Sequence, residues 1–511
     1  MLFNEPAFLF LYAPAMVALF YGFPRWLPLE ALKWTVILGS IFFYSWSSWW
    51  YCFIISGSIL FNSLIARLLV ATAERPVARY RLLVLGVVGN LAALGWFKYT
   101  NFLIDTVNAT QLLRLPELGI VLPIGISFFT FQQIAYIVDV YQGKVPDVRL
   151  SDDAFFISFF PHQIAGPITH HSQLVPQFRR PDRAIALDCI GIGLTVFLIG
   201  LCKKALVADR LATYATPFFD LADMGRTFAP TVAWLGSLAY SLQLYFDFSG
   251  YSDMALGLGL MFGIVLPLNF ASPYRATSII EFWRRWHMTL SAFLRDYVYV
   301  PLGGNRKGPA RRYLNVFITM LLGGIWHGAG WNFAIWGALH GLYILLNHAW
   351  RDLWASRRIP AIVAPLRPAL AAAGLLLTFV LVVVAWVPFR AQTLTGAWSV
   401  WLSMAGLVRP SSSGAVREFI DPLMGQPLWE ILGALALVLV APNTQTLARW
   451  LYGLSLDDVR HLAEGRQRWT LPALPPRLRP LAWTVSAATG IAAACGLALN
   501  NTVSEFIYFR F

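Results

Sequence analysis

Charge is what this 511-residue chain has least of. Asp, Glu, Lys and Arg together make up 13% of it, about half the roughly 25% of an ordinary soluble domain. Apolar and aromatic residues make up 58%, and the mean hydropathy is +0.59. That composition excludes a soluble enzyme and a disordered chain. Cysteine is also scarce: Cys52, Cys189, Cys202 and Cys495 all lie in apolar stretches and none forms a CxxC pair. Buried free thiols are therefore expected, without a disulfide framework or a Cys-based zinc site. HExxH, Walker and GxSxG motifs are missing too, so a metal site, nucleotide hydrolysis and α/β-hydrolase chemistry have no sequence support.

Long apolar runs, by contrast, recur from residue 7 to residue 503. They are continuous and do not alternate, which argues against a β-barrel. In lipid, each backbone N–H and C=O must be bonded within its own segment, and helices satisfy that demand. The chain reads as an all-α polytopic membrane protein and as one domain, 1–511. Spans are expected at 7–23, 34–50, 53–71, 82–104, 121–140, 187–208, 228–246, 251–266, 313–326, 329–349, 367–388, 428–445 and 481–502. Some are partial or re-entrant, so about eleven full crossings are predicted. The first run has no basic residue before it and reads as a true span, not a cleaved leader.

The net charge of +13 suits a polytopic protein better than a nucleic-acid binder, because Arg and Lys gather in short loops. Examples are Arg75/Arg79/Arg81, Arg179/Arg180/Arg183, Arg306/Lys307/Arg311/Arg312, Arg351/Arg357/Arg358 and Arg466/Arg468/Arg477/Arg479. The positive-inside rule puts the loops after the first and third spans in the cytoplasm. The N-terminus then faces outward, in the periplasm.

Two stretches rich in Pro, Gly and polar residues, Leu122–Gln133 and Phe155–Ile168, interrupt the apolar pattern. They read either as packing kinks or as re-entrant backbone lining a wet cavity. Polar residues inside apolar sequence are the remaining functional signal. In Glu281–Asp296, helical spacing of about 100° per residue puts Arg284, His287, Ser291 and Arg295 on one face and apolar residues on the other. This amphipathic helix either lies at the membrane surface or presents His287 to a polar channel. In Leu321–Gly337, His327 is crowded by Gly323, Gly324, Gly328, Ala329 and Gly330, flanked by Trp326 and Trp331, and followed by Asn332. Glycines let a substrate approach the backbone, and histidine is both a usable base and a usable acid near neutral pH. Asp247 and Asp253 read mainly as structural acids, with Ser252 and Asp253 as caps of a helix beginning there. His162, His170 and His171 read as loop residues. His340 follows His327 by thirteen residues, about 220° round one straight helix, so on such a helix the two would not share a face.

These segments together resemble the membrane-bound O-acyltransferase (MBOAT) superfamily, and within it the bacterial alginate O-acetyltransferase (AlgI-like) branch. The resemblance rests on Leu122–Tyr141, Phe155–Phe178, Gln243–Gly257, Pro267–Phe270, Phe282–Gly304, Gly323–Gly337, Trp386–Ala391 and Ala441–Thr444. It implies a helical funnel crossed by a tunnel, with His327 as the catalytic histidine and His287 as its assistant. Trp326 and Trp331 would shape the tunnel, and Asn332, Ser291 and Arg295 would touch substrate. The activity implied is transfer of an acyl group, acetyl first of all, from a cytoplasmic thioester such as acetyl-coenzyme A to the far side of a bacterial inner membrane. No bound cofactor or metal is implied. The chain carries no appended Ser/His/Asp domain, so a periplasmic or membrane-anchored acetyltransferase of the SGNH-hydrolase type is the expected partner. That partner would complete transfer to an exopolysaccharide such as alginate. Cellulose or peptidoglycan O-acetylation is the nearest alternative and teichoic-acid D-alanylation a more distant one. A non-catalytic transporter or scaffold is the competing class; transporters commonly show repeat symmetry, and no internal repeat is visible.

Overall fold

The computed structural model describes residues 1–22, 28–179, 187–356, 366–411 and 426–452, with 484, 487–492, 494, 506 and 507. Cys495, most of the span predicted at 481–502, and several basic residues (Arg180, Arg183, Arg357, Arg358, Arg466, Arg468, Arg477 and Arg479) lie outside the described residues. Among the described residues every regular element is helical. Four helical runs among these described residues are long and apolar enough to cross a membrane: Tyr51–Ala71, Pro76–Ala109, Cys189–Asp223 and Pro368–Arg390.

The chain divides into two compact units. The first comprises Met1–Cys202, Gly250–Leu268 and Thr444–Arg510, and the second Lys203–Ser249 and Asn269–Asn443. The first unit opens with α1 (Ala13–Gly22), α2 (Leu29–Ser45), α3 (Tyr51–Ala71) and α4 (Pro76–Ala109), followed by α5 (Ile126–Tyr141), α6 (Leu150–Ser158), α7 (Phe160–Gln163), α8 (His171–Phe178) and α9 (Leu187–Cys202). Pro76 starts α4 at a position where its missing N–H has no helical partner to lose.

Both stretches flagged by their Pro and Gly content are breaks in the helical pattern. α5 starts after Gly125, which holds φ +75°, and a Cβ there would meet the Ile164 backbone at 3.1 Å. Phe155–Ile168 bends at Phe159 between α6 and α7. The surroundings are polar: Gln132, Gln133 and Gln163 are fully buried, and none of their side-chain amide atoms has a hydrogen-bond partner among the described residues. Buried polar groups are normally paired, with ordered water as one partner. Lys33 anchors the unit through Asp152 at 2.8 Å, and Arg179 pairs with the same carboxylate. His162 and His171 are buried, while His170 bonds Asp139 at 3.2 Å.

The second unit carries α10 (Asp209–Asp223), α12 (Ile279–Arg285), α13 (Met288–Leu294), α14 (Gly308–His327), α15 (Trp331–Ser356), α16 (Arg367–Arg390), α17 (Leu394–Met404) and α18 (Gln426–Val440); α19 (Thr444–Tyr452) belongs to the first. The unit boundary falls inside α11 (Pro230–Met261), which runs unbroken through residues expected to separate two spans. Ser252 and Asp253 therefore do not cap a helix start. Local apolarity dipped at Asp247–Asp253, but each acid has a partner that keeps the helix intact. Asp247 pairs with Lys204 at 2.7 Å, and Asp253 accepts from the Thr444 hydroxyl at 2.6 Å.

Candidate active site

The site is built on two interruptions of helix. The first lies at Trp286–His287. The single amphipathic helix expected over Glu281–Asp296 is instead two short helices, α12 and α13, with His287 between them at φ +41° and ψ +54°. A left-handed conformation is unfavourable for a residue with a Cβ, so the surroundings must hold it. Asn269 does much of that. Its carbonyl accepts from the Met288 N–H at 3.0 Å, and its side-chain Oδ1 accepts from the Thr289 hydroxyl at 2.7 Å. The kink takes His287 off the helix face it was expected to share with Arg284 and Arg295. Its side chain is fully buried against Phe248, ring centroids 4.8 Å apart. Burial pushes its imidazole down to about 3, because charging it would require a desolvated cation. At neutral pH it is an uncharged hydrogen-bonding group.

The second interruption is Gly328–Gly330, which joins α14 to α15 and leaves His327 as the last residue of α14. The two helices cross closely. A Cβ on Gly337 would fall 2.6 Å from the Met320 carbonyl and 3.1 Å from the Gly324 Cα, so this crossing requires glycine. It places the His327 ring among Trp326, Trp336 and Phe389, with centroids at 4.9, 4.9 and 5.2 Å. His327 is 3% exposed.

The two histidines, forty residues apart in sequence, meet with ring centroids 6.4 Å apart and planes inclined at 62°. At that separation the two rings do not hydrogen-bond each other directly. Trp326 touches both, standing 6.4 Å from His287. Asn332 is buried, its Nδ2 donating to the Ala391 carbonyl at 2.6 Å. Ser291 donates to the Trp283 carbonyl at 3.1 Å. Trp331 is 55% exposed. Arg295 is exposed and held by its neighbour Asp296 at 2.6 Å. The structure thus gathers His287, His327 and Trp326 directly, buries Asn332 against the Ala391 carbonyl, ties Ser291 to the Trp283 carbonyl, and leaves Trp331 and Arg295 exposed.

Sequence reasoning missed three walls of the site. Trp336 and Trp386 are almost wholly buried, with rings stacked at 5.7 Å, and Phe389 packs on both. Trp386 and Phe389 sit in the Trp386–Ala391 stretch, whose composition alone carries no chemical signal. His340 was set aside on straight-helix geometry. The Gly328–Gly330 break voids that geometry, and Trp336 now lies between the two histidines, 4.9 Å from His327 and 4.8 Å from His340. Among the described residues no group of three or more His, Cys, Asp or Glu is placed to hold a metal ion.

A membrane-embedded helical protein with a neutral, buried histidine facing a second one in an apolar, Trp-walled box has the equipment for proton transfer during acyl exchange. Residues 147–380 match the MBOAT, membrane-bound O-acyltransferase family. The chain is 43% identical over 414 residues to the protein named probable alginate O-acetylase AlgI of Pseudomonas aeruginosa, covering 79% of this chain and 75% of that one. It is 41% identical over 445 residues to the peptidoglycan O-acetyltransferase of Helicobacter pylori, covering 80% of each. A teichoic acid D-alanyltransferase of Streptococcus thermophilus is 29% identical over 255 residues, which is 48% of this chain and 60% of that protein. The chain belongs to the membrane-bound O-acyltransferase family and is an acyltransferase.

Proposed function

We propose that this enzyme moves an acetyl group from a cytoplasmic thioester, acetyl-coenzyme A, through a bacterial inner membrane toward an acceptor outside it, for O-acetylation of a polysaccharide such as alginate. The observation that carries this reading is the buried His287–His327 pair. In the reaction His327 takes the proton of the attacking hydroxyl. The freed oxygen bonds to the acyl carbon, the carbon–sulfur bond breaks, and the proton passes from His327 to the departing thiolate. His287 holds the attacking or the carbonyl oxygen as an uncharged partner, and Trp326 shapes the passage.

The finer architecture belongs to the same proposal: about eleven crossings, a funnel with a central tunnel, one functional domain over 1–511 and a periplasmic N-terminus. Asn332, Ser291, Trp331 and Arg295 are assigned to the substrate path. A periplasmic or membrane-anchored SGNH-hydrolase-like acetyltransferase completes delivery to the polymer. Peptidoglycan is the second acceptor to test, because the Helicobacter relative covers the chain as fully as the alginate relatives do.

The test is acetyl content of exopolysaccharide and of peptidoglycan in cells carrying His327→Ala or His287→Ala, with membrane protein levels matched. Loss from one polymer identifies it and supports the catalytic assignment. Full acetylation of both in the His327→Ala cells would end that assignment.

A further inference from the structure

The α15 face that meets His327 carries more polar atoms than the reaction above employs. Asn332, Trp336 and His340 recur every fourth residue and share one side of the helix within about 80°. All three are buried, with His340 0% and Trp336 1% exposed. Each holds a polar atom without a hydrogen-bond partner among the described residues: Asn332 Oδ1, Trp336 Nε1 and His340 Nε2.

The proton on His340 can be placed by elimination. Trp283 Nε1 lies 3.2 Å from His340 Nδ1. An indole N–H only donates, so Nδ1 must accept, and the neutral imidazole carries its hydrogen on Nε2. Phe282 lies parallel to the ring with centroids 6.1 Å apart, and Trp283, Trp336, Tyr343 and Trp386 surround it. No charged side chain is among these contacts. Two N–H donors, on successive turns of one helix, therefore stand in an apolar enclosure directly beyond the general base.

We propose that Trp336 Nε1–H and His340 Nε2–H are a donor pair that holds the acyl carbonyl oxygen as it becomes negative. This rests on the acyl-transfer reading of His327. Acyl transfer needs donors aimed at the developing oxyanion, and they act most strongly where water is excluded. The Trp283 indole is the positioning group, because it selects the tautomer that donates. The site takes the carbonyl of a thioester or ester, an acceptor-only atom, in keeping with two donors and no facing cation.

The test uses isosteric logic in membrane vesicles supplied with acetyl-coenzyme A, measuring initial rates of acetyl transfer. His340→Asn keeps an acceptor where Nδ1 was and so retains the Trp283 bond, but removes the Nε2 donor. His340→Gln keeps a donor near Nε2 and gives up the Trp283 bond. Trp336→Phe removes one N–H. His340→Asn and Trp336→Phe are expected to slow the saturated rate roughly 100-fold with donor KM unchanged, while His340→Gln stays far closer to wild type. A packing role predicts the reverse order for the two His340 variants, and that order would overturn the proposal. Should His340→Asn fail to reach the membrane, Trp336→Phe decides alone, a wild-type rate overturning it. His327→Ala separates the two levels. If it is inactive while these variants keep wild-type rates, only the donor pair fails. If it is active, the acyl-transfer reading fails.

Discussion

Asn269 grips Thr289 twice, its Oδ1 accepting from the Thr289 N–H at 3.3 Å and from the Thr289 hydroxyl at 2.7 Å. This clamp secures the first turn after His287. Asn269→Ala is expected to destabilise the protein by about 1–3 kcal/mol, because buried partners are left unpaired. Acetylation should fall further than the lost stability explains, since His287 loses its hold. Thermal unfolding in detergent, set against acetyl content at matched protein levels, checks both.

The left-handed backbone at His287 separates strain from chemistry. Asn tolerates that conformation better than Ala, so His287→Asn should be more stable than His287→Ala by up to about 1 kcal/mol. Both variants should lose activity if the imidazole acts in the reaction. A fully active His287→Asn would make the residue a backbone device only.

His287 also gives a pH signature. Unfolded, its pKa is about 6.5; folded, burial holds it at about 3. Between those values the unfolded chain binds the extra proton, so stability falls as pH drops through that window and is fully present above it. His287→Asn should flatten that part of the stability curve. The titration of His287 should leave no inflection in the activity profile between pH 5 and 8, a range about two or more units above its folded value.

The crossing of α14 and α15 has no room for a side chain. Gly337→Ala would drive a methyl group against the Met320 carbonyl and should destabilise by about 1–3 kcal/mol. It should also move His327 relative to Trp336. Reduced membrane levels with low acetylation are expected, and normal levels with full acetylation would contradict the packing described.

Lys204 is buried between Asp247 at 2.7 Å and Asp209 at 2.9 Å. Lys204→Met removes the cation shared by two buried carboxylates and should destabilise by about 3–5 kcal/mol. Adding Asp247→Asn should recover part of that loss, as read by a double-mutant cycle on unfolding temperature.

Much of this was legible from residue types. Sparse charge and unbroken apolar runs dictate lipid-embedded helices, because backbone groups there have no other way to be satisfied. His327 stood out through its immediate neighbours, since the glycines that permit close approach and the tryptophan that walls the ring lie within a few residues of it. Those are local facts, and sequence states local facts directly.

Other features depended on partners far along the chain. Periodicity put His287 on a polar face, but Asn269 kinks the helix and buries the ring. Asp253 looked like a helix cap until Thr444 reached it from another helix, and the partner of Asp247, Lys204, lies more than forty residues before it. His340 looked misdirected until Gly328–Gly330 broke the helix and Trp336 bridged it to His327. By itself the sequence determined the class of protein and its helical membrane character, and it singled out His327 as a candidate. Only the tertiary structure decided which groups face that histidine, because His287 and Phe389 reach it from forty or more positions away and Trp336 reaches it across a helix break, contacts that packing selects and helix periodicity does not encode.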